Sequence, residues 1–486
     1  MQHTPFPIKM YMLFLLMAIT GTTISAEKTR LSGKATSYAG QEIIFYSYSN
    51  MISFREELIG SCTVNDSGEF VCAIDLEETR LVFTNLGIYN CFLYAEPGYA
   101  YELKLPEKRE KTEAEALNPY FKNISIHLVV KITESFDGRE LPDPANELNF
   151  MIRTFNDSFY PYYYKYVVNA LAYQPDRKEI EKVILALTEP YTGYEHPFFK
   201  DYMRYRTGLL EHHGAQKGNR EIIDKYFDNR RFLYYNPAFM ELFNEIFTDY
   251  FEFYATENPG SNLYSVVNRE RSLDRLRELM KKDKSLSDQS FQEAVIIKNL
   301  YDAFYNDRFS KSAIIILLDS LYAETGNSFH RSIVSDIKYE ITKLAIGFEP
   351  PAFELFNHDS TLVRLSDFTG EYVYLGFCNS FSYSCIKEFE LLKDLNSRYE
   401  PYMKIVTILI DDNFEAMKSL VESNNYSWTF LHYSHYPEIL DDYDIKGYPT
   451  YFLIDKDGKL LASPAISPGE GFERYLFNLL RSRGEL

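Results

Sequence analysis

Hydrophobic and polar positions change their rhythm twice along this chain. From residue 27 to about 107 the apolar runs are short, rich in β-branched and aromatic residues, and punctuated by Gly and Pro: "QEIIFYSY", "RLVFTNL" and "NCFLYAEPGYAYELKL". That pattern predicts an all-β region. Within it "TVNDSGEFVCAI" reads as a hairpin, with Asn65, Asp66 and Ser67 suited to a type I turn and Gly68 to the left-handed position. In that register Cys62 and Cys72 face each other. A disulfide and a pair of buried free thiols both fit there, and either role is structural.

From about 108 to 345 the period lengthens. "KREKTEAEALNPYF" is a charged bridge. In "NPAFMELFNEIFTDYFEFYATENPG", Phe239, Leu242, Phe243, Ile246, Phe247 and Tyr250 recur at three- and four-residue steps, between an opening Asn-Pro and a closing Pro-Gly. "FQEAVIIKNLYDAFYNDRF" and "SAIIILLDSLYAETG" follow the same rule. This predicts an α-helical region without a fixed repeat. His212 and His213 are neighbours in "LLEHHGAQ"; adjacent helical positions point about 100° apart, so they read as a helix end rather than a metal pair.

From 346 to 486 strand and helix patterns alternate. "EYVYLGF" and "MKIVTILID" read as strands, "SCIKEFELLKDLNSRYE" and "NFEAMKSLVESNN" as helices, "YPTYFLIDKDGKLLA" as a hairpin around Asp457-Gly458, and "GEGFERYLFNLLRSRG" as a closing helix. Such alternation implies a sheet with helices packed on it. The chain is therefore expected to be multidomain: all-β, then α-helical, then α/β.

Bulk numbers narrow the function. The chain has 486 residues, 45% hydrophobic and 25% charged, enough for two to four packed domains. Tyr (41) and Phe (37) supply broad packing surfaces, and Trp428 is the single tryptophan. A net charge of −19 repels phosphate backbones and argues against nucleic acid. Residues 1–26 read as a secretory signal peptide: Lys9, the apolar core "MYMLFLLMAITG", then small residues with cleavage after Ser25 or Ala26. No cysteine follows the core, so a lipid anchor is not indicated, and membrane association is expected only through an uncleaved leader. Five cysteines (Cys62, Cys72, Cys91, Cys378, Cys385) leave at least one thiol unpaired within the chain.

The candidate chemistry lies in "GFCNSFSYSC", Gly376 to Cys385. The lead-in "IGFEPPAFELFNHDSTLVRLSDFTGEYVYLGF", the helix after the site, and "GYPTYFLIDKDGKL" surround it. Together these resemble the thioredoxin fold and, within it, the exported TlpA-like thiol–disulfide oxidoreductases. The front region is similar to the small β-sandwich that precedes such domains in Bacteroidetes, on "LSGKATSYAGQEIIFY" and "AEPGYAYELKL". The resemblance implies a signal peptide (1–26), a β-sandwich domain (27–107), an α-helical domain (108–345) and a thioredoxin-like domain (346–486). It also implies a cell-envelope or periplasmic location.

Carried over residue by residue, Phe377 matches the family's strand Phe, and Cys378 and Phe381 stand where tryptophans are usual. Ser382 replaces the first cysteine, and Cys385 matches the second. Glu388 matches an acid that the resemblance implies tunes the thiols, Pro449 matches the cis-proline beside the peptide-binding edge, and Gly376 stands where a buried acid or amide is usual. The site is thus a degenerate Ser-x-x-Cys. Disulfide exchange needs one thiolate to attack and a second thiol to resolve. A serine hydroxyl without an adjacent base does neither, but it makes a good helix N-cap. One rescue is a Cys378–Cys385 pair, weighed against two shielded thiols. Another is a histidine from "LHYSHY": His432 or His435 beside Ser382 for hydrolysis, or beside the cysteines for a soft metal, weighed against histidines with no catalytic part. The expectation is a thioredoxin-like protein with reduced or altered redox activity toward a protein or peptide thiol, acting through Cys385 with Cys378, Ser382, Glu388 and Pro449, and needing no cofactor or metal. The alternative is a non-catalytic envelope binding or scaffold protein that uses the same groove.

Overall fold

The computed structural model describes residues 27–112, 115, 121–169, 176–214, 218–228, 230–411, 413–433, 436 and 439–486. The expected signal peptide lies outside them. Among the described residues no helix is long and apolar enough to cross a membrane.

Among the described residues, nine strands build the front region: β1 (Glu27–Lys34), β2 (Glu42–Tyr48), β3 (Glu56–Thr63), β4 (Glu69–Leu76), β5 (Arg80–Leu86), β6 (Tyr89–Ala95), β7 (Tyr99–Lys104), β8 (Ile124–His127) and β9 (Val129–Ser135). They form two sheets, ordered β4-β1-β7-β9 and β3-β2-β5-β6-β8. Leu31, Phe70 and Tyr101 from the first sheet meet Phe45, Val82 and Leu93 from the second in one buried core. The region runs past residue 107 because β8 adds parallel to β6 and β9 antiparallel to β7. Two strands of the sandwich, β8 and β9, therefore follow the charged bridge in the chain.

The expected turn at 65–68 forms, with the Gly68 N–H donating to Asn65 O at 2.8 Å and φ of 81° at Gly68. Its two strands then part: β3 lies at the edge of one sheet and β4 at the edge of the other. A Cys62–Cys72 disulfide, Cα atoms 5.3 Å apart, joins those edges. Of the two readings of this pair, the disulfide holds.

Among the described residues between Leu148 and Thr342, helices are the regular elements. The apolar positions singled out from Phe239 to Tyr250 are all buried. The expected single segment is two helices, Pro237–Phe247 and Pro-free Tyr250–Glu257, because Asp249 takes a left-handed conformation (φ 52°) between them. Met51, Ile52 and Tyr94 of the sandwich enter the helical core, and Asn149 pairs its side-chain amide with the backbone of Tyr94 at 2.6 and 2.9 Å.

The described residues of the last region form seven strands: β10 (Glu354–Asn357), β11 (Leu362–Arg364), β12 (Tyr372–Cys378), β13 (Met403–Leu409), β14 (Thr429–His432), β15 (Thr450–Ile454) and β16 (Leu460–Ala465). Their order is β11-β10-β14-β13-β12-β15-β16. β12 runs parallel to β13 and antiparallel to β15. Helices Tyr383–Tyr399, Phe414–Asn424 and Phe472–Ser482 accompany the sheet. This is the thioredoxin-like arrangement that the resemblance implied.

The disulfide closes a short loop, since its cysteines are 10 residues apart. Replacing Cys62 and Cys72 with alanine is expected to cost the sandwich about 2–3 kcal/mol through lost loop-closure entropy. Hydrogen exchange of peptides covering β3 and β4 reads this directly. Unchanged protection there overturns the expectation.

Candidate functional site

All seven residues of β12 are buried, since the sheet is covered on both sides. Val373, Leu375 and Phe377 face a core that holds Phe353 and Tyr443. Tyr372, Tyr374 and Cys378 face the other layer, under the helices Tyr383–Tyr399 and Phe472–Ser482. Cys378 is the last residue of the strand, so its sulfur points under the start of the helix that follows.

Between them, residues 379–382 are pinned by polar contacts. The Asn379 side-chain amide donates to Ile410 O at 2.8 Å and its oxygen accepts from Phe381 N–H at 2.8 Å. The Ser380 N–H donates to the Asp411 carboxylate at 2.9 Å. Ser382 is the N-cap, its hydroxyl oxygen accepting the Cys385 N–H at 3.4 Å. Its side chain therefore does the capping work expected of it, and no base stands by to activate it among the contacts on the described residues.

Cys378 and Cys385 are free thiols, both 0% exposed, and the structure brings them together. Burial pushes the Cys378 thiol well above its ordinary range. Cys385 moves the other way, chiefly because the Cys378 thiol donates a hydrogen bond to it. The Asn379 N–H, 3.4 Å from the Cys385 sulfur, and the Ser382 hydroxyl help, against burial and the charge of Asp411. The first proton to leave this pair is that of Cys385, and Cys378 stays the donor.

Glu388 sits beside the pair. Burial raises its pKa, while the Gly469 N–H, 3.4 Å away, holds it down. Its charge acts in turn on Cys378, Tyr374 and Tyr451. The Tyr448–Pro449 peptide is cis, as the resemblance implied. Tyr448 borders Cys385 and Asp411, and burial first, then those two charges, push its hydroxyl up to about 12.

Tyr451, Asn379, Asp411 and Tyr448, which carried no expectation, complete the site around Gly376. Gly376 pairs with Tyr451 across β12 and β15. A Cβ at Gly376 would lie 2.7 Å from the Tyr451 ring. The room that the missing side chain leaves is filled by that ring, which stacks on Tyr374 at 4.8 Å. The buried Tyr451 hydroxyl faces the Cys378 sulfur, where it partly offsets the rise that burial imposes on that thiol. A glycine in an otherwise bulky strand was the one signal for this close approach. Asn379, Asp411 and Tyr448 carried none.

His432 is not part of the site. Its register runs Cys378–Leu409–His432, so Leu409 stands between and two strand spacings, about 10 Å, separate it from the thiols. It packs on Phe414 at 5.4 Å. Neither the hydrolytic nor the soft-metal arrangement is assembled around it; His435 lies outside the described residues. On the outer surface, Phe381 and Tyr383 flank Ser382 and are 61% and 82% exposed.

This region is similar to known proteins. Residues 346–463 match the AhpC/TSA family. A thiol-disulfide oxidoreductase ResA from Bacillus thuringiensis subsp. konkukian is 31% identical over 120 residues, covering 24% of this chain and 69% of the relative. Another, from Bacillus anthracis, is 29% identical over 149 residues, covering 30% of this chain and 83% of the relative. A solved thiol-disulfide oxidoreductase from Bacteroides fragilis is 26% identical, covers 27% of this chain and 98% of its own, and has a TM-score of 0.25.

The Gly376–Tyr451 contact makes a testable demand. Gly376→Ala is expected to destabilise the C-terminal domain by about 1–3 kcal/mol through overpacking. Trp428, buried in this domain and alone in the chain, reports its unfolding by fluorescence. In a Tyr451→Ala background the same substitution is expected to cost much less. Equal costs in both backgrounds would overturn the assignment.

Proposed function

The chain belongs, through its C-terminal domain, to the AhpC/TSA family of thioredoxin-fold proteins, and we propose that it is an exported thiol–disulfide oxidoreductase with a rearranged dithiol. The observation that carries this reading is the contact between two reduced, buried thiols in which Cys385 is set to ionise. Ser382 caps the helix and takes no part in the electron transfer. Cys378 supplies the second sulfur that the motif lacks.

The steps balance. The Cys385 thiolate attacks one sulfur of a substrate disulfide, forms a mixed disulfide and expels a substrate thiolate, which takes a proton from water. The Cys378 thiol then loses its proton and attacks the Cys385 sulfur. The Cys378–Cys385 disulfide forms and the second substrate thiol leaves. Two electrons pass from the chain's dithiol to the substrate, and the reverse sequence oxidises a substrate dithiol. In this reading Glu388, half-buried, with its pKa raised and its charge felt by Cys378, exchanges the Cys378 proton. The substrate is a protein or peptide disulfide that lies along the edge formed by Phe381, Tyr448 and Pro449. Export to the cell envelope follows from the leader-like segment and provides the compartment in which disulfides persist.

A second reading has its own support. Two aromatic side chains stand in solvent beside thiols that do not. That combination suits a domain that binds a partner through Phe381 and Tyr383 and has retired its chemistry.

Differential alkylation with peptide mass spectrometry separates the two. The redox reading expects a reversible Cys378–Cys385 disulfide under mild oxidant. It expects Cys385→Ala to abolish turnover, and Cys378→Ala to stop at a mixed disulfide on Cys385. Ser382→Ala is expected to lose about 1 kcal/mol of stability with its cap but to keep disulfide formation. If both thiols stay reduced and unreactive until the chain unfolds, the binding reading stands instead.

The pKa order gives an independent check. Because donation from Cys378 is the main cause of the lowered Cys385 value, Cys378→Ala is expected to move Cys385 ionisation to higher pH. Thiolate ultraviolet absorbance against pH reads this. A shift to lower pH would contradict the assignment of donor and acceptor.

A further inference from the structure

We infer that the helical region carries a divalent-metal site formed by His212, His213 and Glu245, separate from the thiol pair. Adjacent helical side chains leave the backbone about 100° apart, which is why two neighbouring histidines read as a poor pair. The structure does not keep them apart. Their ring centroids lie 4.7 Å from each other. One donor atom from each histidine and one from Glu245 all lie within 4.8 Å of one another.

The packing of two helices produces this convergence. Helix Pro197–Gly214 lies against helix Pro237–Phe247, locked by Tyr205 on Phe239 at 4.8 Å and by the Arg206–Glu241 ion pair. Further along the same seam, His213 Nε2 stands 3.4 Å from Glu245 Oε1. Two donors held at ~2.05 Å by one tetrahedral zinc ion sit about 3.3 Å apart, so this separation already suits a shared metal. The His212 donor lies within the same 4.8 Å cluster, so the three side chains converge on one point.

The remaining donor has only to swing in by roughly an ångström, the scale set by zinc–nitrogen distances, and both histidine rings are partly exposed and able to turn. Two features favour a cation there. Both histidines occupy the last turn of their helix, where the macrodipole is negative. Glu245 adds a formal negative charge. Two imidazoles with one carboxylate make a borderline donor set that selects zinc, cobalt, nickel or copper over magnesium or calcium. Three protein ligands leave a fourth position to water, since Glu245 is exposed.

Isothermal titration of the purified full chain with zinc tests this, alongside His213→Ala, Glu245→Gln and Cys385→Ala variants. One zinc per chain is expected in the parent and in Cys385→Ala. Affinity is expected to fall roughly tenfold or more in His213→Ala and Glu245→Gln. Copper(II) electron paramagnetic resonance supplies a second readout: coupling to two imidazole nitrogens in the parent, falling to one in His212→Ala. Far-UV circular dichroism confirms that each variant is folded, and all three positions are solvent-accessible, so folding is expected to survive. No binding by the parent, unchanged affinity in the His213 and Glu245 variants, or loss of binding in Cys385→Ala alone would each overturn the inference.

Discussion

The complete burial of β12 is the constraint on which the site rests. A strand covered on both faces must pair on both edges, or it leaves backbone donors and acceptors unsatisfied in an apolar layer. β13 and β15 meet that demand over nearly its whole length. The ladder fixes the register, and the register decides which side chains share a face. Cys378 consequently emerges on the same side as Tyr374 and beneath the helix that begins at Tyr383. A one-residue slip would exchange Cys378 for Phe377 and remove one sulfur from the site.

The same burial sets the chemistry. In an apolar layer an isolated thiolate is costly, so burial by itself raises both thiols. What separates the two is local donation. Cys385 lies in the first turn of its helix and receives the Asn379 N–H and the Cys378 thiol, whereas Cys378 sits at a strand end among tyrosine rings. Fixed dipoles thus divide one environment into an acceptor and a donor. Ser382 contributes indirectly, by keeping the first helical turn in place. The substitution that removes the usual nucleophile therefore leaves the helix start intact, because serine serves as a cap.

Much of this was legible in the sequence. The alternation of strands and helices after residue 346, the Ser-x-x-Cys spacing and the proline before β15 each follow from local rules. They need no knowledge of distant contacts. The disulfide pairing was half-legible: the turn at Asn65–Gly68 brings Cys62 and Cys72 together whichever sheet each strand joins. What escaped depends on contacts between residues far apart in the chain. β8 joins the sandwich only because it finds the edge of β6. Asp411 enters the site from the end of β13, and Tyr451 fills the space beside Gly376 from a strand about 75 residues later, as the parallel and antiparallel partners of β12. Helical spacing set His212 and His213 apart, while the Glu245 that approaches His213 comes from another helix about 30 residues later.

Moving the dithiol from the exposed motif position to the strand end exchanges access for protection. A first cysteine at position 382 would stand at the surface beside Phe381 and Tyr383. Both thiols as built are fully buried, so reaction with a substrate needs a local opening, and residues 379–382 join the strand to the helix beside them. That segment is held by three short contacts, from Asn379 to Ile410, from Ser380 to Asp411 and within the Asn379–Phe381 turn. Each is worth about 0.5–1.5 kcal/mol net, more for the one to a carboxylate. Breaking the two that tie the segment to Ile410 and Asp411 disfavours the open state. A substrate that binds Phe381 and Tyr383 and prefers the lifted segment would supply the opening energy itself. Selectivity in such a site comes from the partner's grip on the aromatic rim, while the sulfur chemistry waits behind it.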